Sequence, residues 1–176
     1  MNRLLLNGKI FILMLLALGA ATSCKDDDED NQPALTVQSF MQQAAASDMF
    51  EIRTGTMAIT KGTLPQVRST GQTLVTHHTM TSTELMALAI TKNVTLPTTL
   101  PQDKATRVTT LENATGTAFN HQFAEMQVLA HQEAIELYEQ ADRDITDAQV
   151  QAFIDKTLPI LRTHLTEAEQ LEDLTD

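Results

Sequence analysis

The chain has 176 residues, a net charge of −11, a single cysteine and only 4% aromatic residues. One cysteine excludes an intramolecular disulfide, and the acidic balance argues against a nucleic-acid partner because phosphates are repelled. Few aromatic residues and few glycines favour helices over a β-sandwich. The composition therefore predicts one helical domain of ordinary size that rests on its hydrophobic core.

The first residues have the order of a secretory signal peptide. A basic head precedes an apolar run at residues 10–18, and small residues then lead to Cys24. The run is shorter than the roughly 20 residues that a membrane-spanning helix needs. A cysteine at such a cleavage site resembles the lipidation site of a bacterial lipoprotein. We therefore expect residues 1–23 to be removed and lipid on Cys24 to attach the protein to a membrane.

An acidic run, Lys25-Asp-Asp-Asp-Glu-Asp30, follows the cysteine. Blocks of like charge are usually solvated and extended, which predicts a tether. The run also resembles an export signal with which some Gram-negative bacteria display lipoproteins on the outer face of the cell. Residues 24–34 are thus predicted to join the lipid anchor to a domain formed by residues 35–176. The expected location is the cell envelope, on the outer membrane and, if the signal acts, at the cell surface.

Apolar residues recur at helical spacing in four long segments and one short segment. The predicted helices span residues 36–60, 63–92, 102–113, 118–141 and 146–171. Gly62 is expected to end the first helix, and Thr146 with Gln149 has the spacing of a capping box that begins the last. Pro159 is expected to kink that last helix. The pattern predicts an all-α four-helix bundle with a short extra helix between helices 2 and 3.

Each long helix carries one polar residue on its apolar stripe: Glu51, His78, His131 and His164. Buried imidazoles and carboxylates are costly unless they are paired or bind an ion. In one interpretation, these four residues converge on a transition-metal ion in the bundle core. In the other, each histidine hydrogen-bonds a neighbour and the network only orders the core.

If neighbouring helices run antiparallel, residues at equal distances from the turn that joins them lie at the same height along the bundle. This condition holds for one pair of helices only. Glu51 and His78 lie at similar distances from the turn near Gly62. His131 and His164 differ by about six residues in their distance from the next turn, roughly 9 Å of helical rise. Either the helices are staggered enough to absorb this difference, or the two histidines never meet.

The other histidines and the methionines give weaker signals. His77 and His121 lie off the apolar stripes and are predicted to be on the surface. Met80, Met86 and Met126 lie near the histidines in sequence, and thioethers suit copper(I). Methionine at helical spacing more often fills a core, however, so copper is the less favoured interpretation.

Several segments, in order and spacing, resemble the family of predicted outer-membrane proteins called domain of unknown function 4142. The resemblance covers residues 36–171 and includes Phe40-Met-Gln-Gln-Ala-Ala and Lys156-Thr-Leu-Pro-Ile-Leu-Arg-Thr-His164-Leu. The other matching segments are 49–52, 74–79, 84–89, 94–97, 116–119, 131–132 and 137–139. The resemblance implies a ferritin-like four-helix bundle in the envelope but no activity, because the family is uncharacterised.

Two departures bear on a possible site. The family usually has an aspartate directly before the histidines of the second and third long helices, where this chain has His77 and Ala130. An aspartate there would orient the imidazole. The di-iron members of the wider fold use a Glu-x-x-His pattern, which this chain lacks because Val75, Val128 and Leu161 occupy the glutamate positions. A di-iron centre is therefore not expected.

The sequence thus predicts a lipid-anchored helical-bundle protein of unknown biochemical activity, a non-enzymatic envelope or interaction module whose protein partner it does not identify. The alternative is a mononuclear transition-metal-binding or redox protein that uses Glu51, His78, His131 and His164. Geometry separates the two, because imidazoles more than about 8 Å apart cannot share an ion at bonds of roughly 2 Å.

Overall fold

The computed structural model describes residues 34–176, and its helices occupy the predicted segments. The helices are α1 (Val37–Lys61), α2 (Pro65–Lys92), α3 (Gln102–Asn113), α4 (Gly116–Asp144) and α5 (Ala148–Thr175). This part of the chain contains no strand, which confirms the all-α prediction. None of its helices has both the length and the apolar character needed to cross a bilayer. The predicted signal peptide, Cys24 and acidic run lie outside the described residues.

The capping prediction for the last helix was wrong by one residue. Asp147, not Thr146, caps α5: its Oδ1 atom accepts hydrogen bonds from the backbone N–H groups of Gln149 (3.0 Å) and Val150 (3.1 Å). A carboxylate also interacts favourably with the positive end of the helix dipole. The hydrogen bond from Lys92, at 2.6 Å, is the main cause that holds the pKa of Asp147 below its ordinary value. This contact ties the end of α2 to the start of α5.

The long helices form a ring in which each contacts two neighbours. α1 packs on α2 and α4, α5 packs on α4 and α2, and α3 covers the outside of α1 and α4. Connections of a few residues between α1 and α2 and between α4 and α5 are typical of a helical bundle. α5 continues through Pro159, and the kink expected there stays a prediction.

The hydrophobic core is divided into apolar clusters near the two ends of the bundle. In the larger cluster, Phe40 contacts Tyr138 edge to face, with ring centroids 5.0 Å apart. In another, Phe119 and Phe123 stack with centroids 6.2 Å apart. The middle turns of all four long helices lie between these clusters, and they carry most of the buried polar residues of the bundle.

Two facing glycines bring α1 and α2 into close contact beside that polar layer. A Cβ atom on Gly55 would lie 2.9 Å from the carbonyl oxygen of Gly71, and one on Gly71 would lie 2.6 Å from the carbonyl oxygen of Gly55. Real Cβ atoms do not approach backbone oxygens this closely. The absence of side chains at these two positions therefore sets the distance between the helices one turn after Glu51. Gly62 caps α1 as predicted, and its own position is also tight, since a Cβ atom there would lie 2.6 Å from the side chain of Val67.

We predict that Gly71→Ala lowers the free energy of unfolding by about 1–3 kcal/mol, because the new methyl group meets backbone atoms that cannot move aside. On an exposed helical surface the same exchange would raise stability by up to about 1 kcal/mol, so the sign is diagnostic. Urea denaturation followed by circular dichroism measures the change. Thr79→Ala, at an exposed position of α2, should stay within about 0.5 kcal/mol of the wild type. A more stable Gly71→Ala protein would contradict the close helix contact.

Candidate metal centre

Three buried histidines meet at the centre of the bundle. His78 of α2, His131 of α4 and His164 of α5 expose only 3%, 1% and 3% of their surface. Their ring centroids form a triangle with sides of 5.8, 5.4 and 5.3 Å. One nitrogen from each ring lies within 4.8 Å of the other two. The expected possibility that His131 and His164 never meet is therefore wrong.

The direction of helical side chains explains how this pair meets. Every Cα–Cβ bond of a helix leans toward the helix N-terminus. His131 therefore leans away from the turn that joins α4 to α5, whereas His164 leans toward it. The two leans bring together rings whose Cα positions differ in height. Counting residues from the turn ignores this geometry and so overestimates the mismatch.

Each of the three rings has one nitrogen held by a polar partner. Nδ1 of His78 lies 2.8 Å from Oδ1 of Asp48, which accepts its proton. Nδ1 of His131 donates to the carbonyl oxygen of Gln127 at 2.8 Å. Nε2 of His164 lies 2.8 Å from Nδ1 of His77. Partners of this kind fix the ring orientation and the tautomer of metal-binding histidines.

The opposite nitrogen of each ring has no hydrogen-bond partner within the described part of the chain. These atoms are Nε2 of His78, Nε2 of His131 and Nδ1 of His164. In their neutral forms, the rings of His78 and His131 carry their proton at Nδ1, in these hydrogen bonds, and present a lone pair at Nε2. An unpartnered buried lone pair costs on the order of 1–3 kcal/mol. Each of the three rings therefore has one nitrogen available to a ligand, and the rings lie close enough together to form a candidate ligand set.

Glu51 lies beside this set without completing it in the present geometry. It is 1% exposed, and neither carboxyl oxygen has a hydrogen-bond partner among residues 34–176. Its charge acts on both His78 and His131. It does not belong to the group of atoms that lie within 4.8 Å of one another. Of the four residues predicted from the sequence, the structure thus brings three into one ligand set and places Glu51 next to two of them.

The electrostatics keep two of the rings neutral and ready to bind an ion. Burial, followed by the charges of the neighbouring histidines, lowers the pKa of His164 to about 3. Burial also lowers the pKa of His131, although the charge of Glu51 acts against it. Burial favours neutral His78 as well, but its hydrogen bond with Asp48 and the charge of Glu51 raise its pKa above the ordinary value. A cation can replace that proton, since metal binding competes with protons for the same ligand atoms.

Imidazole and carboxylate donors suit the first-row divalent ions such as zinc, iron and nickel. Magnesium and calcium prefer sites built from oxygen atoms. Bonds of about 2.1 Å to one ion place two ligand atoms roughly 3.4 Å apart in a tetrahedral site. One nitrogen of each ring lies within 4.8 Å of a nitrogen of the other two, and small inward movements of the rings would bring these atoms to that spacing. The donor set therefore fits one transition-metal ion.

Sequence reasoning missed the partners that orient the rings. Asp48 was not predicted as a site residue, although it precedes Glu51 by almost one turn and is buried on the same helix. His77 is exposed, as predicted, yet its ring reaches His164. His121, also predicted on the surface, is partly exposed and pairs with acidic residues. Met80 and Met86 are 58% and 50% exposed, so neither belongs to this buried centre.

A protein-family model described as "Domain of unknown function (DUF4142)" matches residues 22–171, which is most of the chain. This match confirms the resemblance found in the sequence. No curated protein and no solved structure matches the chain. The ferritin-like arrangement implied by the resemblance therefore stays a prediction, while the helical bundle is observed.

We predict that Glu51→Met stabilises the metal-free protein by about 1–3 kcal/mol, because it replaces a buried unpartnered carboxyl group by an apolar side chain of similar volume. Urea denaturation in the presence of a chelator measures the change. Glu136→Met, at an exposed position of α4, serves as the matched control and should change stability by no more than about 0.5 kcal/mol. If Glu51 were part of a satisfied network that orders the core, its replacement would destabilise the protein instead.

Proposed function

The chain belongs to the DUF4142 family, whose description assigns no activity, and we propose that it is a lipid-anchored envelope protein that binds one divalent transition-metal ion in its bundle core. The observation that carries this proposal is the group of three buried imidazole rings, each of which has one nitrogen within 4.8 Å of a nitrogen of the other two and one nitrogen without a hydrogen-bond partner in the described residues. The ligands proposed are His78, His131 and His164. Glu51 supplies a neighbouring negative charge. Its carboxylate also supplies an oxygen as the fourth ligand, either directly or through water.

The pattern of hydrogen bonds favours an ion over a purely structural network. A network that only orders the core would use both nitrogens of each ring, since unsatisfied buried groups lower stability. Here each ring uses one nitrogen, and the other is buried without a partner in the described residues. Both oxygens of Glu51 are likewise unpartnered within residues 34–176. One cation compensates all of these atoms together.

The burial of the ligands favours binding over catalysis. Catalytic metal sites combine three protein ligands with an open position that a substrate can reach. The ligand histidines and Glu51 are at most 3% exposed, and apolar clusters pack toward both ends of the bundle. An organic substrate has no direct approach to an ion held this way. The proposed role is therefore to hold or carry the ion in a non-enzymatic protein.

The envelope location is proposed from residues that precede the described part of the chain. The basic head, the short apolar run and Cys24 support export and lipidation. The acidic run after Cys24 supports a solvated tether between the lipid and the bundle, since like charges repel one another.

We expect the purified mature protein to contain close to one transition-metal ion per chain and His131→Ala to contain almost none, because the alanine removes one of three nitrogen ligands. Inductively coupled plasma mass spectrometry after dialysis measures the metal content. His121→Ala, which removes a partly exposed histidine of the same helix, should retain the wild-type content. Equal metal content in wild type and His131→Ala would exclude the proposed site and leave a protein-interaction module as the function.

We also expect Cys24→Ala to abolish incorporation of radiolabelled palmitate and to move the protein from the membrane to the soluble fraction, since no other cysteine can carry the lipid. Cell fractionation followed by immunoblotting measures the distribution. Asn31→Ala, a neutral change in the tether, should remain in the membrane fraction. Unchanged fractionation of Cys24→Ala would overturn the lipid anchor without affecting the metal proposal.

A further inference from the structure

The buried centre is connected to the surface by one exposed side chain. His77 precedes the ligand His78 on α2 and is exposed, but its ring lies against the ring of the ligand His164. The two ring centroids are 5.0 Å apart, the planes differ by 11°, and Nδ1 of His77 lies 2.8 Å from Nε2 of His164. A ligand of the centre is therefore one hydrogen bond away from a residue that solvent reaches.

A small cavity of about 50 Å³ opens at the same place, between α2 and α5. His77, Met80 and Glu84 of α2 line one wall, and Lys156, Thr157 and Ile160 of α5 line the other. A space of this size admits a single ion with one or two water molecules but no organic substrate. The cavity thus extends from His77 along the cleft between the two helices.

The α2 wall of this cavity carries three side chains with metal-binding atoms. His77, Met80 and Glu84 follow one another at three and four residues, so they lie along one face of the helix. They offer an imidazole nitrogen, a thioether sulfur and a carboxylate oxygen. Met80 is 58% exposed, so solvent reaches its side chain. Glu84 pairs across the cleft with Lys156, so the positive charge of the lysine is compensated at the rim.

We propose that the ion enters and leaves the bundle through this cleft between α2 and α5, and that His77 is the transfer ligand that passes it to His164. This inference rests on the proposed function, because it requires an ion in the core. His77 binds the arriving ion while the ion still retains part of its water shell. Rotation of the His77 ring then breaks its hydrogen bond with Nε2 of His164 and opens the path to the three buried rings, where Nδ1 of His164 receives the ion. His77 is not a ligand of the ion in its final position.

Kinetics distinguish this role from simple support of His164. A residue that only supports a ligand lowers the equilibrium affinity when it is removed, by about 10–100-fold. A residue that lies only on the path changes the rates of loading and release by the same factor, because the equilibrium depends on the end states alone. His77→Asn separates the two, since the asparagine oxygen can accept the hydrogen bond from Nε2 of His164 but offers no second ring nitrogen to the cleft.

The experiment uses the mature protein with Zn²⁺ as the probe. Affinity is measured by competition with a chromophoric chelator, loading by stopped-flow mixing with Zn²⁺, and release by transfer to excess EDTA. We expect His77→Asn to slow loading and release roughly tenfold or more, with the dissociation constant within about threefold of the wild type. Glu84 contacts no ligand of the ion, and Glu84→Gln should also slow both loading and release. His121→Asn is the matched control and should change neither rates nor affinity.

Each result has one meaning. If the wild type binds no Zn²⁺, the proposed function fails. If the wild type binds Zn²⁺ and His77→Asn weakens the affinity while the loading rate is unchanged, His77 only supports His164 and the route is overturned. Wild-type rates in both His77→Asn and Glu84→Gln would also overturn the route while leaving the buried site intact. Parallel slowing of loading and release in both variants establishes it.

Discussion

The stability of the bundle depends on a layer of buried polar groups whose hydrogen bonds the core does not complete. Three imidazole nitrogens and both oxygens of Glu51 are buried without partners in the described residues. Apolar clusters near both ends of the bundle provide the burial that keeps this layer in place. Such groups cost free energy unless a proton or a cation satisfies them. The metal-free fold is therefore less stable than its apolar packing alone would make it, and a bound ion adds stability by mass action.

The geometry of the layer is set mainly by backbone contacts and short hydrogen bonds. The close approach of Gly55 and Gly71 fixes α1 against α2, and it leaves Asp48 at hydrogen-bond distance from His78. All of the ligands project from helices rather than from loops. Sites on helices hold their side chains more precisely than sites on loops. A histidine triangle with sides that differ by only 0.5 Å follows from this rigid arrangement.

Periodicity alone predicted the helices and the inward position of each polar residue, because both follow from the sequence within a single helix. Periodicity could not predict the features that depend on how neighbouring helices and their side chains are oriented. The N-terminal cap of α5 was predicted at Thr146 because the spacing between Thr146 and Gln149 fits a capping box. The residue that caps the helix is the next one, the charged Asp147. The height mismatch of His131 and His164 becomes smaller once the lean of the side chains is included. The pairing of Asp48 with His78 depends on how α1 is rotated against α2, which a single sequence does not contain.

The three histidines of the centre have unequal support. A carboxylate accepts a hydrogen bond from His78, and a backbone carbonyl accepts one from His131. The partner of His164 is only a second imidazole. A charged acceptor holds a histidine more strongly than a neutral one. The ligand with the weakest support then lies at the cleft where the exposed His77 meets it, which is where a buried ion can exchange without opening the rest of the core.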